Sequence, residues 1–120
     1  MINIHPTSLV NKNCILSENI TIEAYTIIDE NVLIEDNVFI GSFSKICGGA
    51  VIGKGTYIGN HCVVASIPNK KGFDRSIMSG VKIGVNNTIC DHSIICRSLA
   101  QEASTSIGDY NHIGHNAYIG

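Results

Sequence analysis

The chain has 120 residues, with eight Lys and Arg against ten Asp and Glu and a net charge of −2. That length holds one domain, and the mildly acidic balance argues against a nucleic-acid surface. The opening Met1-Ile2-Asn3-Ile4-His5-Pro6 has no basic-then-apolar leader, and no apolar run approaches the ~18 residues of a membrane span, so a cytoplasmic protein without an integral membrane segment is expected.

From Ile4 onward the chain keeps a beat of six. Ile4, Val10, Leu16, Ile22, Ile28, Ile34, Ile40, Ile46, Ile52, Ile58 and Val64 fall at every sixth position. A helix needs apolar residues every three or four positions and a simple strand every second; a strict six is the mark of hexapeptide β-helices. Two positions before the aliphatic stand small or β-branched residues (Cys14, Thr26, Val32, Val38, Ser44, Ala50, Thr56, Cys62), sized for the inner corner of a narrow tube. Three positions after it come Asn13, Asn19, Asn31, Asn37, Gly49 and Gly55, residues that tolerate a left-handed backbone. The pattern predicts short parallel strands joined by tight corners, three sides to a coil and about 18 residues per coil. Residues 1–67 are read as the first coils.

The rhythm then breaks. Pro68 to Gly80 carries Lys70, Lys71 and Arg75 and is predicted to project from the prism; long loops of this kind are often functional. The beat resumes in another phase with Ile83, Ile89 and Ile95, and after a second, smaller interruption near 97–105, where Gln101 replaces an aliphatic, with Ile107, Ile113 and Ile119. The expected architecture is a single all-β domain over 1–120.

The five cysteines are odd in number and form no C-x-x-C pair, which speaks against a disulfide scaffold or a zinc knuckle. Cys14 and Cys62 read as core filler. Cys90 has His92 two residues on, a candidate activating partner. His61 and His92 fall at corner positions and read as turn residues.

Particular stretches go beyond the shared repeat. Ile4-His5-Pro6-Thr7-Ser8-Leu9-Val10, Ile40-Gly41-Ser42-Phe43-Ser44-Lys45-Ile46, Ala65-Ser66-Ile67, Val81-Lys82-Ile83-Gly84-Val85-Asn86-Asn87-Thr88-Ile89, Ile94-Ile95-Cys96-Arg97-Ser98 and Ile107-Gly108-Asp109-Tyr110-Asn111, with both loops in place, resemble the UDP-N-acetylglucosamine O-acyltransferases of lipid A synthesis. The resemblance implies a left-handed parallel β-helix and a homotrimer with sites between prisms. It implies acyl transfer from an acyl carrier protein or coenzyme A thioester to the 3-hydroxyl or 3-amine of a nucleotide-linked sugar, with no bound cofactor or metal.

In the resembled family a histidine is the general base, in a stretch Asn-Ala-His-Ile-x-His. The matching residues are Asn116-Ala117-Tyr118-Ile119-Gly120, so the base is expected just after Gly120 and the sequence reads as a truncated chain. His115 is the remaining candidate base. Asp74 and Arg75 stand nearest the family's Asp-x-Lys loop contacts, and Arg97 matches its Ile-x-Arg stretch; all three are expected to bind substrate. Two alternatives stay open. One is a catalytically silent hexapeptide module. The other is a zinc enzyme like the β-helical carbonic anhydrases, which is disfavoured because Gly120 stands where the second histidine of a His-x4-His pair would fall.

Overall fold

A computed structural model describes residues 1–120. Every regular element is a short strand, and the strands form three parallel sheets, the faces of a prism. The first face stacks Ile2–Ile4, Ile20–Ile22, Phe39–Ile40, Tyr57–Ile58, Thr88–Ile89 and His112–Ile113. The second stacks Leu9–Val10, Ile27–Ile28, Lys45–Ile46, Val63–Ser66, Ile94–Cys96 and Tyr118–Ile119, and the third Ile15–Leu16, Leu33–Ile34, Ala50–Ile52, Gly80–Ile83 and Ser104–Ile107. The register sets aliphatic on aliphatic: Ile22 on Ile40, Ile28 on Ile46 and Ile34 on Ile52. No helix is long and apolar enough to cross a membrane.

The beat of six is the core. Ile34, Ile40, Ile46, Ile52, Ile58, Val64 and Ile89 have no exposed surface. Ile4 at one end remains exposed, and Val10, Leu16, Ile107, Ile113 and Ile119 are half-buried, because their coils stack on one side only. The small inner residues serve two purposes. They fit the narrow corner, and their hydroxyls donate to a carbonyl oxygen of the following coil: Thr26 to Gly41 and Ser44 to Gly59 at 2.9 Å, Thr56 to Gly84 at 3.1 Å. No buried side-chain polar atom lacks a partner, which a thin core requires.

The corners turn through the left-handed region three positions after the aliphatic, as the Asn and Gly pattern predicts. Asn19, Asn31, Asn37, Asn86 and Asn116 have φ between 54° and 60°. Asn13 is the exception; its backbone N–H donates to Asn11 Oδ1 at 2.8 Å instead. The same conformation is imposed on residues that resist it: Tyr25 at 58°, Phe43 at 59°, His61 at 55° and His92 at 62°. All four lie on the corner between the first and second faces and form one column of stacked rings. Centroids are 5.2 Å apart for Tyr25 and Phe43, 5.0 Å for Phe43 and His61, and 4.9 Å for His61 and His92. The rise between paired strands, about 4.8 Å, is close to a stacking distance, so the coil spacing itself brings these rings together.

The glycines that directly follow an aliphatic have a reason the sequence does not reveal. Asn60 Oδ1 accepts from Ser42 N–H, Asp91 Oδ1 from Asn60 N–H and Asp109 Oδ1 from Val85 N–H, each at 2.8 Å. These side chains cap a backbone donor in the preceding coil. A Cβ on Gly41 would meet Asn60 Oδ1 at 2.6 Å, and Gly59 and Gly84 face Asp91 and Asp109 in the same way.

Candidate functional site

Both interruptions leave the prism at the corner between the second and third faces. The first begins at a bulge: Ala65 has φ 64°, and the register against Ile94–Cys96 shifts between Val64 and Ser66. Residues 67–79 then run outside the prism before Gly80–Ile83 rejoins it. The second interruption docks against the first. Arg97 donates from Nη1 to the Ile77 carbonyl at 3.0 Å and from Nη2 to the Arg75 carbonyl at 3.3 Å, with its guanidinium 5.5 Å from the Phe73 ring centre. Met78 N–H donates to Gln101 Oε1 at 2.9 Å, and Glu102 N–H to the Met78 carbonyl at 2.7 Å. Ser79 Oγ donates to the Ser98 carbonyl at 2.6 Å. The loops are therefore one unit, and Gln101, out of place in the hexad pattern, is one of its fasteners.

Two grooves flank this unit. On its N-terminal side a cavity of about 710 Å³ is lined by Asp29, Lys45, Cys47, Ile67, Met78 and Arg97, among others. Burial, and then the Asp29 carboxylate, push the Cys47 thiol up. On the C-terminal side a groove of about 400 Å³ is lined by Asn69, Lys70, Arg97, Leu99, Tyr118 and Gly120, among others. Tyr118 is 53% exposed, with its hydroxyl 3.6 Å from Cys96 Sγ. The thiol beside it, aided by desolvation, pushes that phenol up.

The sequence-derived site residues separate into two places. Asp74, Arg75 and Arg97 come together in the loop unit, each in a different state. Asp74 is exposed and caps its own turn: Oδ1 accepts from Ser76 N–H at 2.9 Å and from Ser76 Oγ at 2.6 Å. Those bonds, the hydroxyl's first, hold its carboxyl below the usual range. Arg75 presents an exposed side chain while its carbonyl is held by Arg97. Arg97 holds loop backbone and an aromatic face, so its hydrogen bonds within the chain are those of a strut.

His115 stands apart, on the corner between the first and second faces. Its position in the coil is that of Ser42, Asn60 and Asp91 in earlier coils, the position from which Asn60 and Asp91 cap backbone. No group of three or more His, Cys, Asp or Glu is placed to hold a metal ion. Tyr118 and Lys70, which line the C-terminal groove, carry no signal in the repeat; Tyr118 is notable in the sequence only as the residue where the resembled family has histidine.

A prism of three parallel faces, six residues to a side, is the architecture of the hexapeptide-repeat proteins, and residues 31–66 match the bacterial transferase hexapeptide (six repeats) family. The chain is a left-handed parallel β-helix of that class. Over its whole length it is similar to UDP-N-acetylglucosamine O-acyltransferases. It is 44% identical to the acyl-(acyl-carrier-protein)–UDP-N-acetylglucosamine O-acyltransferase of Aliarcobacter butzleri and 33% identical to that of Campylobacter lari, in each case covering all of this chain and 48% of the relative. Among solved structures, the UDP-N-acetylglucosamine acyltransferase of Bacteroides fragilis superposes with a TM-score of 0.83 at 31% identity, over 96% of this chain and 47% of that one. That of Francisella novicida gives 0.80 at 29%, over all of this chain and 45% of that one. The chain thus spans about half the length of the curated relatives it matches.

Proposed function

We propose that this prism serves acyl transfer from an acyl carrier protein or coenzyme A thioester to a nucleotide-linked sugar, at its 3-hydroxyl or 3-amine, in lipid A or surface-polysaccharide synthesis in the cytoplasm. The observation that carries this reading is the docked loop unit, with a groove on each side, in a chain similar from end to end to acyltransferases with that acceptor. The exposed cations Arg75, Lys70 and Lys71 suit the phosphates of a nucleotide sugar or of a carrier's phosphopantetheine. The free carboxylate oxygen of Asp74 suits a sugar hydroxyl. Arg97 contributes by fixing the loop that presents them.

The chemistry needs a base to take the acceptor's proton as its oxygen or nitrogen attacks the thioester carbonyl, and a backbone N–H to hold the oxyanion. His115 is the proposed base among the residues present. It lies one corner away from the loops, and a homotrimer with shared clefts would bring it to substrate held by the loops of a neighbouring copy. A closed three-fold ring is a common solution for such prisms.

The experiment is a transfer assay. The protein encoded by the whole reading frame, and this chain alone, are incubated with an acyl-carrier-protein thioester and UDP-N-acetylglucosamine, and acylated sugar is measured by mass spectrometry. Product supports the reading. An assembled, folded protein that makes none favours the second reading, a silent structural module, which the strut role of Arg97 and the corner position of His115 also fit.

A further inference from the structure

All five thiols are free, and two of them, Cys62 and Cys96, are buried. Burial pushes the thiols of Cys14, Cys47 and Cys62 up. Cys96 is buried, with its sulfur against the Tyr118 hydroxyl.

Cys90 is different. It follows Ile89 at the edge of the first face, is half-buried, and its Sγ lies 3.7 Å from Nε2 of His112 in the next coil, an exposed imidazole. His92, the nearer histidine in sequence, is engaged in its stack with His61. The surroundings are open on the C-terminal side for a structural reason. Gly59 N–H bonds the Ile89 carbonyl and Cys90 N–H the Ile113 carbonyl, each at 2.8 Å, so Cys90 shares its column with Gly59 on one side and Gly114 on the other. Where neighbouring coils have no side chain, this coil has a thiol. A nucleophilic sulfur needs a partner for its proton and a line of approach for the electrophile; the imidazole supplies the first, and the side of Gly114, where a Cβ would meet nothing within 4 Å, leaves room for the second.

We propose that Cys90 and His112 form a nucleophilic thiol–imidazole pair that takes an acyl group from a small thioester. His112 Nε2 accepts the thiol proton as Cys90 Sγ attacks the thioester carbonyl. An S–C(O) bond forms at Cys90, the donor's C–S bond breaks, and the proton passes to the departing thiolate. One thioester replaces another, with no change of oxidation state and no further reactant. The choice of a thioester rests on the acyl-transfer reading above; the geometry of the pair does not.

The test omits the nucleotide sugar, so its failure and the failure of the sugar reaction are read independently. The folded protein is incubated with acetyl-N-acetylcysteamine and followed by intact mass and peptide mapping. The expected result is a single added acetyl group on Cys90, removed by hydroxylamine, absent in Cys90→Ser, and formed at least about tenfold more slowly in His112→Gln. His112→Asn, compared with it by circular dichroism, separates loss of the imidazole from loss of fold. No adduct, an adduct on another residue, or an unchanged rate in both folded His112 variants would overturn the proposal.

Discussion

The Arg97 guanidinium reaches back 20 residues to donate a 3.0 Å hydrogen bond to the carbonyl oxygen of Ile77. This bond, with its companion to Arg75 and the contact over Phe73, makes the two breaks in the repeat a single structure. Charge-assisted hydrogen bonds are stronger than neutral ones. Arg97→Ala is expected to lower stability by about 2 kcal/mol and to speed amide exchange in residues 67–79, with little change in the coils before them. Arg97→Lys keeps the charge but loses the planar fork, and is expected to recover only part of the protection. Equal exchange in all three proteins would remove the strut.

Backbone crowding gives a sharper contrast. A Cβ on Gly53 would collide with the Gly84 backbone, whereas one on Gly114 would meet nothing within 4 Å. Gly53→Ala is therefore expected to cost about 2 kcal/mol or more, since the opposing atoms are main chain, and Gly114→Ala to stay within about 0.5 kcal/mol. Urea denaturation of the two variants checks the order, and comparable losses would contradict the close packing of coils at Gly53.

Phe43 sets two effects against each other. Its left-handed backbone costs roughly 1–2 kcal/mol in a residue other than Gly or Asn. Its stacks on Tyr25 and His61 return roughly 0.5–1.5 kcal/mol each. Phe43→Asn sheds the strain with the stacks and is expected to fall within about 1 kcal/mol of wild type. Phe43→Ala keeps the strain, and is expected to be less stable than Phe43→Asn by about 1 kcal/mol. The reverse order, measured by denaturant midpoint, would mean that backbone strain at this corner is negligible.

Two pH effects have opposite signs. The hydrogen bonds from Ser76 lower the folded-state value of Asp74. Their contribution is fully present above the ordinary carboxylate value, about 3.9, and is lost as pH falls through the lowered one. Acid proteolysis is therefore expected to accelerate near Phe73 to Ser76 as pH drops below about 4, and Asp74→Asn is expected to flatten that dependence. Burial raises the folded-state value of Cys62 from 9.0. That stabilising term is complete below the unfolded value and is lost as pH rises through the raised one. Stability is expected to decline above about pH 9, and less steeply in Cys62→Ala. A decline of the same slope in both proteins would show that this thiol is not its source.

The prism was readable from the chain because its cause is local and repeated: Ile22, Ile40 and Ile58 fall in one phase, and that phase is the core. Asn19 and Asn37 announced their corners for the same reason. Tyr25 and Phe43 did not, and the stack that joins them to the corner residues His61 and His92 was invisible too, because a ring at a left-handed position contradicts its own propensity and is held by neighbours 18 or more residues away. Gly41 and Gly59 were visible as a pattern, yet their purpose depends on Asn60 and Asp91 in the next coil. The sequence reading put loops at 68–80 and near 97–105, while the strands resume at Gly80 and Ser104, and nothing in either segment alone tells that Gln101 fastens Met78 or that Arg97 turns inward. His115 stands out in the sequence by its offset from Ile113; in earlier coils the same offset is where Asn60 and Asp91 cap backbone.

The most direct test of the proposed site is the transfer reaction with Arg75→Ala and Arg97→Ala beside wild type, read as separate kcat and KM values. Expected are an acylated nucleotide sugar from wild type, a KM raised about tenfold in Arg75→Ala through loss of one phosphate contact, and a lowered kcat in Arg97→Ala as the loop loosens. Turnover that is identical in all three proteins, or a folded wild-type protein that transfers nothing, would contradict a site built on the docked loops.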